Sequence, residues 1–537
     1  MVPAQSCLRF LPPPPPTTNA AQPPDAAAVV VPLPGSSEDR ISQLPEDIQR
    51  TIVSKLPVKD GGATVVLSSR WRSIWSSIPL VLDDAQLRPA GVEDLVDDDE
   101  DTEAIEDLSR DMVWDKVTAI LRSHPGPFRS VRLTSSPASS LRTWLRIMAA
   151  KGVEELVVLN CEWPTAMMVL SVELLRCESL KRLHLALSQM PHLTVPGRAG
   201  RPAHRRAVHF PNLEELVLCH AFVPETDIGD FLAGCPVLKM LAFIEGCGVP
   251  PYIDVLCPRL KCLLLWRFKP LKLTVDAPRI ERIILWRTNQ FFLPPRTRIL
   301  IRRAPSLRIL GYLDPKLHVL ESGDTIIKAG TRPKPDVMLP SVEILAIKIR
   351  FGVRDDERTL LAYLRGFPNI RTLHIQSAPA LPRPANEHGP DFWNNDVFSL
   401  IPCITKIKKF SFYDFHGMDN NSELSFIKSI AETCNLLEHM RITISRGIME
   451  LPNLLKARLL NSMSEVEWAS EESTLDIITG NHKEWKYRTA SDLSLSQSGP
   501  QQHRVIKPTE KEDVVEEDDA EKKRIKGLKA VLSFNDY

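Results

Sequence analysis

PRLKCLLLWRFKPLKLTVDAPRIERIILWR, residues 258–287, is the stretch of sequence that decides the fold class. It contains one phrase twice, beginning at Leu260 and at Ile280: an apolar residue, two arbitrary residues, an apolar residue, one arbitrary residue and another apolar residue. A proline stands two residues before each copy. Because successive side chains of a strand point to opposite faces, the last two apolar residues of the phrase share one face of a short strand.

The same phrase recurs along most of the chain, at intervals of about 20 to 37 residues. Its copies begin at Val153, Leu180, Leu213, Leu238, Leu260, Ile280, Leu307, Val342 and Ile370, and weaker copies begin at Phe128, Ile407 and Leu437. This recurrence is typical of a leucine-rich repeat, in which stacked strands form a parallel sheet over a continuous core. We therefore predict an α/β repeat solenoid of irregular leucine-rich repeats, with inward-pointing residues at Leu183, Leu216, Leu263, Ile283, Leu345 and Leu373.

The composition argues against several classes of protein. The 537 residues contain 67 Lys plus Arg and 67 Asp plus Glu, so no global basic surface for nucleic acid is predicted. The ten cysteines include no C-x-x-C pair and no histidine cluster accompanies them, which argues against a metal site or a redox dithiol. No signal peptide or membrane-spanning apolar run is recognisable. We expect a cytoplasmic and/or nuclear protein with no cofactor, no metal and no membrane partner.

The sequence contains none of the common catalytic motifs. It has no G-x-S-x-G, no phosphate-binding loop, no dinucleotide glycine fingerprint and no H-E-x-x-H. His184, His220 and His374 lie in or beside predicted strands, where a packed or solvent-facing histidine is more common than a catalytic one. We therefore predict no catalytic residue and no enzyme activity.

A second informative stretch, residues 38–75, reads EDRISQLPEDIQRTIVSKLPVKDGGATVVLSSRWRSIW and predicts three short helices. Pro45 fits the first turn of a helix that carries, at four-residue steps, Ile48, Ile52 and Leu56. Asp60 is the predicted N-cap of the second helix, and Ser68 or Ser69 that of the third. From the residues alone, the stretch is either a binding module or a helical cap over the first repeat.

This stretch resembles, without gaps, the F-box of plant proteins, in segments such as DRIS, LP, LPVKD and LSSRWRSIW. The resemblance implies binding to a Skp-type adaptor and, through it, to a cullin. The adaptor-binding residues that it implies are Leu44, Pro45, Ile48, Ile52, Leu56, Pro57, Leu67, Trp71 and Trp75. The chain departs from the family pattern at Gly61-Gly62-Ala63, where Ala-Ala-Arg is usual, and a helical glycine costs roughly 1 kcal/mol relative to alanine.

The region that follows the repeats resembles the FBD region of many plant F-box proteins. The resemblance rests on IKKF at 407–410, on FHG at 415–417 and on the apolar stripe after Glu423. From the residues alone, this region is a last repeat with a cap. Together with the repeats and residues 38–75, it makes the chain similar to the plant F-box/FBD/LRR family.

The sequence predicts six parts along the chain. They are a disordered Pro/Ala-rich leader at 1–37, the F-box at 38–78, a linker with an acidic loop at 79–112, the solenoid at 113–390, an FBD-like C-terminal repeat or cap at 391–455, and a C-terminal extension at 456–537 that is largely disordered from about 492. The acidic loop, from Glu93 to Asp107, is expected to be solvated because its like charges repel.

Two neighbouring repeats carry large apolar residues on the face opposite the predicted core. Alternation turns four residues to this concave face: Leu264, Trp266, Ile284 and Trp286. Exposed apolar patches usually mark binding sites, so these are the predicted substrate-binding residues. The alternative is that the insertion from His192 to His209, or the C-terminal tail, covers them as part of the fold.

The modules together predict the substrate-recognition subunit of a Skp/cullin/F-box ubiquitin ligase. In this interpretation the F-box docks the adaptor, and the repeats bind a protein that is to be ubiquitinated. The alternative is a leucine-rich-repeat scaffold that binds a protein partner without any role in ubiquitin transfer. Binding of a Skp-type adaptor distinguishes the two.

Overall fold

A computed structural model describes residues 41, 43–88, 100–134, 138–160, 168–195, 204–245, 250–286, 296–331, 337–379, 392–393, 395–399, 401–417, 422–444, 452–479 and 504–505. The predicted leader at 1–37 lies outside these residues. Most of the predicted disordered tail lies outside them as well.

The N-terminal module consists of α1 (Glu46–Val53), α2 (Val58–Ala63) and α3 (Ser69–Ser77), with a 3-10 turn at Thr64–Val66. Ser68 caps α3, because its hydroxyl accepts a hydrogen bond from the backbone N–H of Trp71 at 3.4 Å. A proline stands at the N-cap of α1 and of α2, so the prediction of Asp60 as a cap is wrong. Asp60 lies in the first turn of α2, where a negative charge is favourable.

Short strands recur along the described part of the chain. In chain order the strands are β1 (Leu80–Asp83), β2 (Phe128–Leu133), β3 (Glu155–Leu159), β4 (Met168–Val169), β5 (Arg182–Ala186), β6 (Ser188–Gln189), β7 (Thr194–Val195), β8 (His204–Arg205), β9 (Glu215–Cys219), β10 (Met240–Ile244), β11 (Tyr252–Val255), β12 (Cys262–Trp266), β13 (Lys272–Asp276), β14 (Arg282–Trp286), β15 (Thr297–Arg303), β16 (Ile309–Leu313), β17 (His318–Ser322), β18 (Thr325–Ile327), β19 (Ile344–Ile349), β20 (Thr372–Ser377), β21 (Lys409–Phe415), β22 (His439–Ile444), β23 (Thr474–Thr479) and β24 (Arg504–Val505).

One large sheet runs through the whole array. Its fifteen strands lie in the order β1-β2-β3-β5-β9-β10-β12-β14-β16-β19-β20-β21-β22-β23-β24. Neighbouring strands pair in parallel except β23 and β24, so fourteen strands form the parallel sheet of a solenoid. The predicted α/β solenoid preceded by a small helical module is therefore confirmed.

Equivalent positions of neighbouring repeats lie opposite each other in the sheet. The residues predicted to point inward form aligned pairs: Leu183 with Leu216, Leu263 with Ile283, and Leu345 with Leu373. All six side chains are buried in one hydrophobic core that extends through the repeats. Each repeat thus buries its apolar face against the next one, as repeat architectures require.

The chain returns between these strands through helices at both ends of the array and through strands in its middle. The helices are α4 (Glu100–Ser123), α5 (Ala138–Lys151), α6 (Ile228–Ala233), α7 (Arg354–Gly366), α8 (Asn395–Ser399), α9 (Ser422–Thr433) and α10 (Pro452–Ser464). The middle returns form a second sheet, in the order β11-β13-β15-β17-β18. In β13, for example, Leu273 and Val275 point into the core as an alternating pair, which suits a strand.

The structure corrects the predicted linker at 79–112. Strand β1 begins three residues after α3 ends at Ser77, and it pairs directly with β2. Helix α4 begins at Glu100, inside the predicted acidic loop. Acidic residues are favourable near the N-terminus of a helix, and farther along α4 the buried Val117 and Leu121 attach it to the core.

The boundary predicted at residue 455 is also wrong. Helix α10 crosses it, and Leu455, Leu459 and Met463 on this helix are buried in the core. Strand β23 then extends the sheet to Thr479. The FBD-like region and the first part of the C-terminal extension are therefore further repeats of the same solenoid. None of the helices in the described ranges is long and apolar enough to cross a membrane.

Candidate protein-interaction sites

The N-terminal module has a small core of its own. Val53, Trp71, Ile74 and Ile78 form this core, and Trp75 packs beside it. The family resemblance placed both tryptophans among the adaptor-binding residues, but Trp71 is buried and Trp75 is half-buried. We infer that these two indoles mainly hold the three helices together, because large aromatic side chains supply much of the burial in a small core.

Several large apolar side chains of the module are exposed to solvent. Ile48 and Ile52, one turn apart on α1, are 43% and 39% exposed, and Leu67 is 65% exposed. Ile41 and Val66 are exposed as well, Val66 by 85%, and neither is among the predicted adaptor-binding residues. The sequence does contain a signal for the exposure of Val66. The run VVL at 65–67 places three apolar residues in a row, and short helices cannot bury all three.

Of the four remaining predicted adaptor-binding residues, one is exposed and three are half-buried. Pro45 is exposed, whereas Leu44, Leu56 and Pro57 are half-buried. Among the described residues, the module therefore presents four of the nine predicted side chains in exposed positions: Pro45, Ile48, Ile52 and Leu67.

Gln49 is a buried polar residue on α1. Its side chain is fully buried, and Nε2 donates a hydrogen bond to the carbonyl oxygen of Ile41 at 2.9 Å. Its Oε1 has no hydrogen-bond partner among the described residues. A buried acceptor without a partner typically costs about 1–3 kcal/mol, so Gln49 lowers the stability of the module.

The four predicted substrate-binding residues lie on the face opposite the main core, as alternation predicts. Leu264 pairs with Ile284 and Trp266 with Trp286 across β12 and β14. Together with Tyr312 they belong to a second hydrophobic cluster, separate from the main core. The prediction that they form an exposed patch is wrong, because at most 6% of any of the four side chains is exposed.

The aromatic rings of this second cluster form a row along the sheet. The ring centroids of Trp266 and Trp286 lie 5.9 Å apart, and those of Trp286 and Tyr312 lie 5.0 Å apart at an interplanar angle of 71°. These distances lie in the range that favours aromatic pairs. Their burial agrees with the alternative in which the face is covered as part of the fold.

The described residues of the insertion from His192 to His209 do not belong to the second hydrophobic cluster, so they do not account for its burial. Its arms, β7 and β8, pair with each other, and Leu193 packs in the main core. The buried carboxylate of Asp227, just before α6, accepts hydrogen bonds from the backbone N–H of Leu193 at 3.0 Å and from Arg205 at 2.9 Å. The base of the insertion is therefore anchored beside α6.

The carboxyl ends of four neighbouring strands carry residues in the left-handed region. Leu187, His220, Glu245 and Arg267 have φ between 46° and 52°. In each case the backbone N–H donates to the last carbonyl of the next strand, as from Arg267 to Trp286 at 2.8 Å. Glu245 accepts hydrogen bonds from His220 and Arg267, and the bond from His220 lowers the pKa of its carboxyl. His220, Glu245 and Arg267 therefore form a hydrogen-bonded polar row along this edge.

No group of three or more potential metal-ligating side chains occurs in the described ranges. The described cysteines are buried, and burial raises the pKa of Cys177, Cys235 and Cys403 to about 12. Thiols with such pKa values are poor nucleophiles at neutral pH.

Two protein-family models match the chain. The F-box domain matches residues 41–83, which includes β1 as well as the three helices. The model described as "FBD-associated F-box protein At5g56370, LRR repeats" matches residues 141–375, from α5 to β20. The chain belongs to the plant F-box/FBD/LRR family. Its relatives include "F-box/FBD/LRR-repeat protein At1g13570" of Arabidopsis thaliana, 25% identical over 76% of this chain and 92% of that protein.

Other members of the F-box/FBD/LRR family match shorter parts of the chain. "Putative FBD-associated F-box protein At1g05080" of Arabidopsis thaliana is 31% identical over 38% of this chain and 42% of its own length. "F-box/LRR-repeat protein At3g26922" of the same plant is 29% identical over 40% of this chain and 61% of its own length. As a class, F-box domains bind Skp-type adaptors, and F-box/LRR proteins are generally non-catalytic.

Proposed function

We propose that this F-box/FBD/LRR protein is the substrate-recognition subunit of a Skp/cullin/F-box ubiquitin ligase. The observation that carries the proposal is the exposure of Ile48, Ile52, Val66 and Leu67 on the F-box. Apolar side chains that cluster in one small module and remain in solvent usually mark a protein-binding surface. An adaptor that covers them removes this apolar area from water.

The small core of the F-box gives adaptor binding a second role. Among the described residues, four buried side chains form that core with Trp75 beside them, and one buried acceptor in the module has no partner. A partner that binds only the folded state stabilises it by mass action. Adaptor binding is therefore expected to raise the stability of the F-box as well as to recruit the cullin.

The repeats bind the protein to be ubiquitinated in this proposal. Leu264, Trp266, Ile284 and Trp286 remain the predicted substrate-binding residues, but their burial means that a substrate reaches them only if the face is uncovered. In the covered state, they serve the fold of the solenoid. Replacement of Trp266 and Trp286 by alanine measures that structural role.

The test is binding of the full chain to a purified Skp-type adaptor by calorimetry, for the parent and for a Val66→Ala, Leu67→Ala variant. The variant loses five carbon atoms, and about 0.8 kcal/mol per buried carbon predicts a loss of up to about 4 kcal/mol in binding. The expected result is a Kd that is at least about tenfold and up to roughly 1,000-fold weaker, with an unchanged melting temperature. Val169→Ala, on an exposed valine of β4, is the matched control.

Two results contradict the proposal. The first is a parent chain that fails to bind an adaptor that another F-box protein binds under the same conditions, which favours the scaffold alternative. The second is an adaptor affinity that is equal in the parent and in the Val66→Ala, Leu67→Ala variant. This result would show that Val66 and Leu67 do not belong to the adaptor-binding surface.

A further inference from the structure

The F-box and the first repeat interlock through one aromatic side chain. Trp75 of α3 lies against Gly61 of α2, so closely that a Cβ added to Gly61 would stand 2.5 Å from Cζ3 of the indole. The same indole also contacts the ring of His124, with ring centroids 5.2 Å apart and an interplanar angle of 72°. His124 directly follows α4, outside the F-box.

His124 contacts both the end of the F-box and the first repeat. Its ring is buried, Nε2 lies 3.2 Å from the carbonyl oxygen of Ile78, and its other ring neighbour is Phe128 of β2. The backbone at Gly126, two residues after His124, also lies close to the end of α3. A Cβ added to Gly126 would stand 2.8 Å from the carbonyl oxygen of Ser76 and 2.9 Å from that of Ile78. The first repeat therefore touches both the backbone and the side chains at the end of α3.

The same contact leads to the most exposed apolar residues of the F-box. Helix α2, which carries Gly61, continues without a break into the 3-10 turn at Thr64–Val66 and then Leu67. Thr64 ties the turn to the helix, since its hydroxyl donates to the carbonyl oxygen of Gly61 at 2.6 Å. A shift of α2 relative to Trp75 would therefore move Val66 and Leu67.

We propose that the first repeat positions the adaptor-binding turn at 64–67 through the contact of His124 with Trp75 and of Trp75 with Gly61. These three residues are positioning residues, because they act through the turn and need no contact with the adaptor. The proposal rests on the proposed adaptor binding. In this chain the indole of Trp75 occupies the space that a Cβ at position 61 would need.

Two neighbouring glycines of α2 provide a matched test in the full chain. Gly61→Ala places a Cβ 2.5 Å from Trp75, whereas the Cβ of Gly62→Ala would meet the same indole at 3.9 Å, an ordinary contact. Both changes improve the intrinsic helix propensity by a similar amount. We expect Gly61→Ala to weaken the Kd for a Skp-type adaptor at least tenfold and Gly62→Ala to change it less than about threefold.

His124→Ala tests the same contact from the side of the repeat. We expect a similar loss of adaptor affinity and faster hydrogen exchange at 64–67, with unchanged exchange in β9 and β10, far along the solenoid. The Gly61→Ala, His124→Ala double variant should bind only slightly more weakly than either single variant, because both disturb one contact. A purely local packing role for His124 would leave the exchange at 64–67 unchanged.

The outcomes separate this inference from the proposed function. If the parent does not bind the adaptor, the proposed function fails and the positioning role fails with it. If the parent binds and Gly61→Ala and His124→Ala both bind as tightly as Gly62→Ala, only the positioning role is refuted. Hydrogen exchange also shows whether the Gly61→Ala variant keeps α1 and α3 folded. If these helices unfold in that variant, the adaptor affinity of His124→Ala alone tests the positioning role, because His124→Ala alters no residue of the F-box helices.

Discussion

Replacement of Trp266 and Trp286 by alanine tests whether the second hydrophobic cluster is part of the folded core or an open surface. The two indoles lie side by side on β12 and β14, with ring centroids 5.9 Å apart, and 4% and 6% of their surface is exposed. A buried tryptophan that is cut back to alanine leaves a large cavity and loses its contacts with its neighbours. Truncations of this kind cost about 3–5 kcal/mol in buried positions.

The geometry also predicts how the two changes combine. The rings contact each other, so removal of the first ring takes away part of what the second contributes. Aromatic pairs at this distance contribute about 0.5–1.5 kcal/mol beyond their burial. We therefore expect each single variant to lose about 3–5 kcal/mol, and the double variant to lose roughly 1 kcal/mol less than the sum of the two.

Chemical denaturation followed by circular dichroism provides the measurement, with hydrogen exchange at β12 and β14 to localise the effect in a repeat protein that need not unfold in one step. Tyr252→Ala is the matched control, because this aromatic residue of β11 is 56% exposed and its loss should change stability by less than about 0.5 kcal/mol. Trp266→Ala and Trp286→Ala variants as stable as Tyr252→Ala would refute the buried cluster and restore the exposed patch.

Three further predictions follow from single residues. Leu263→Asp should destabilise the solenoid by several kcal/mol in a thermal melt, because it places an unpaired charge in the main core. Gln49→Met should raise the unfolding free energy of the F-box by about 1 kcal/mol, because it removes a buried acceptor without a partner among the described residues; equal stability would show that water reaches Oε1. Burial lowers the pKa of the His124 imidazole in the folded chain, so below about pH 6.5 the unfolded chain binds more protons at this residue than the folded chain does. The free energy of unfolding therefore falls as the pH falls below that value. When the pH is lowered from 7.5 to 5.5, the His124→Gln variant should lose less unfolding free energy than the parent.

The inward-pointing positions were predictable because they depend on a local rule. The alternation of side chains in a strand, repeated a dozen times, is enough to place Leu263 and Ile283 in the core. The same rule placed Trp266 and Trp286 on the opposite face. It could not predict their burial, because burial depends on what else packs on that face, and periodicity carries no information about such contacts.

The connection between the F-box and the repeats was predicted wrongly for a similar reason. The acidic run favoured a loop, and this made the whole of 79–112 look like a linker. However, the strand LVLD at 80–83 is too short to give a periodic signal, and only its pairing with β2 makes it a strand. The strands of the second sheet had a clearer signal, since LKLTV at 271–275 alternates with a period of two.

The direct connection has a consequence for the proposed receptor. A flexible linker of the 34 residues from 79 to 112 would have a root-mean-square span of about 30 Å, and the F-box could then take up many positions relative to the repeats. Instead, only Ile78 and Pro79 separate α3 from β1, and the backbone N–H of Leu80 already donates to the carbonyl oxygen of Pro127 at 2.8 Å. Two residues span at most about 7 Å and leave no room for a hinge. The exposed apolar residues of the F-box therefore keep a fixed direction relative to the sheet, so a protein bound on the repeats would be held at a set distance from the adaptor and its cullin.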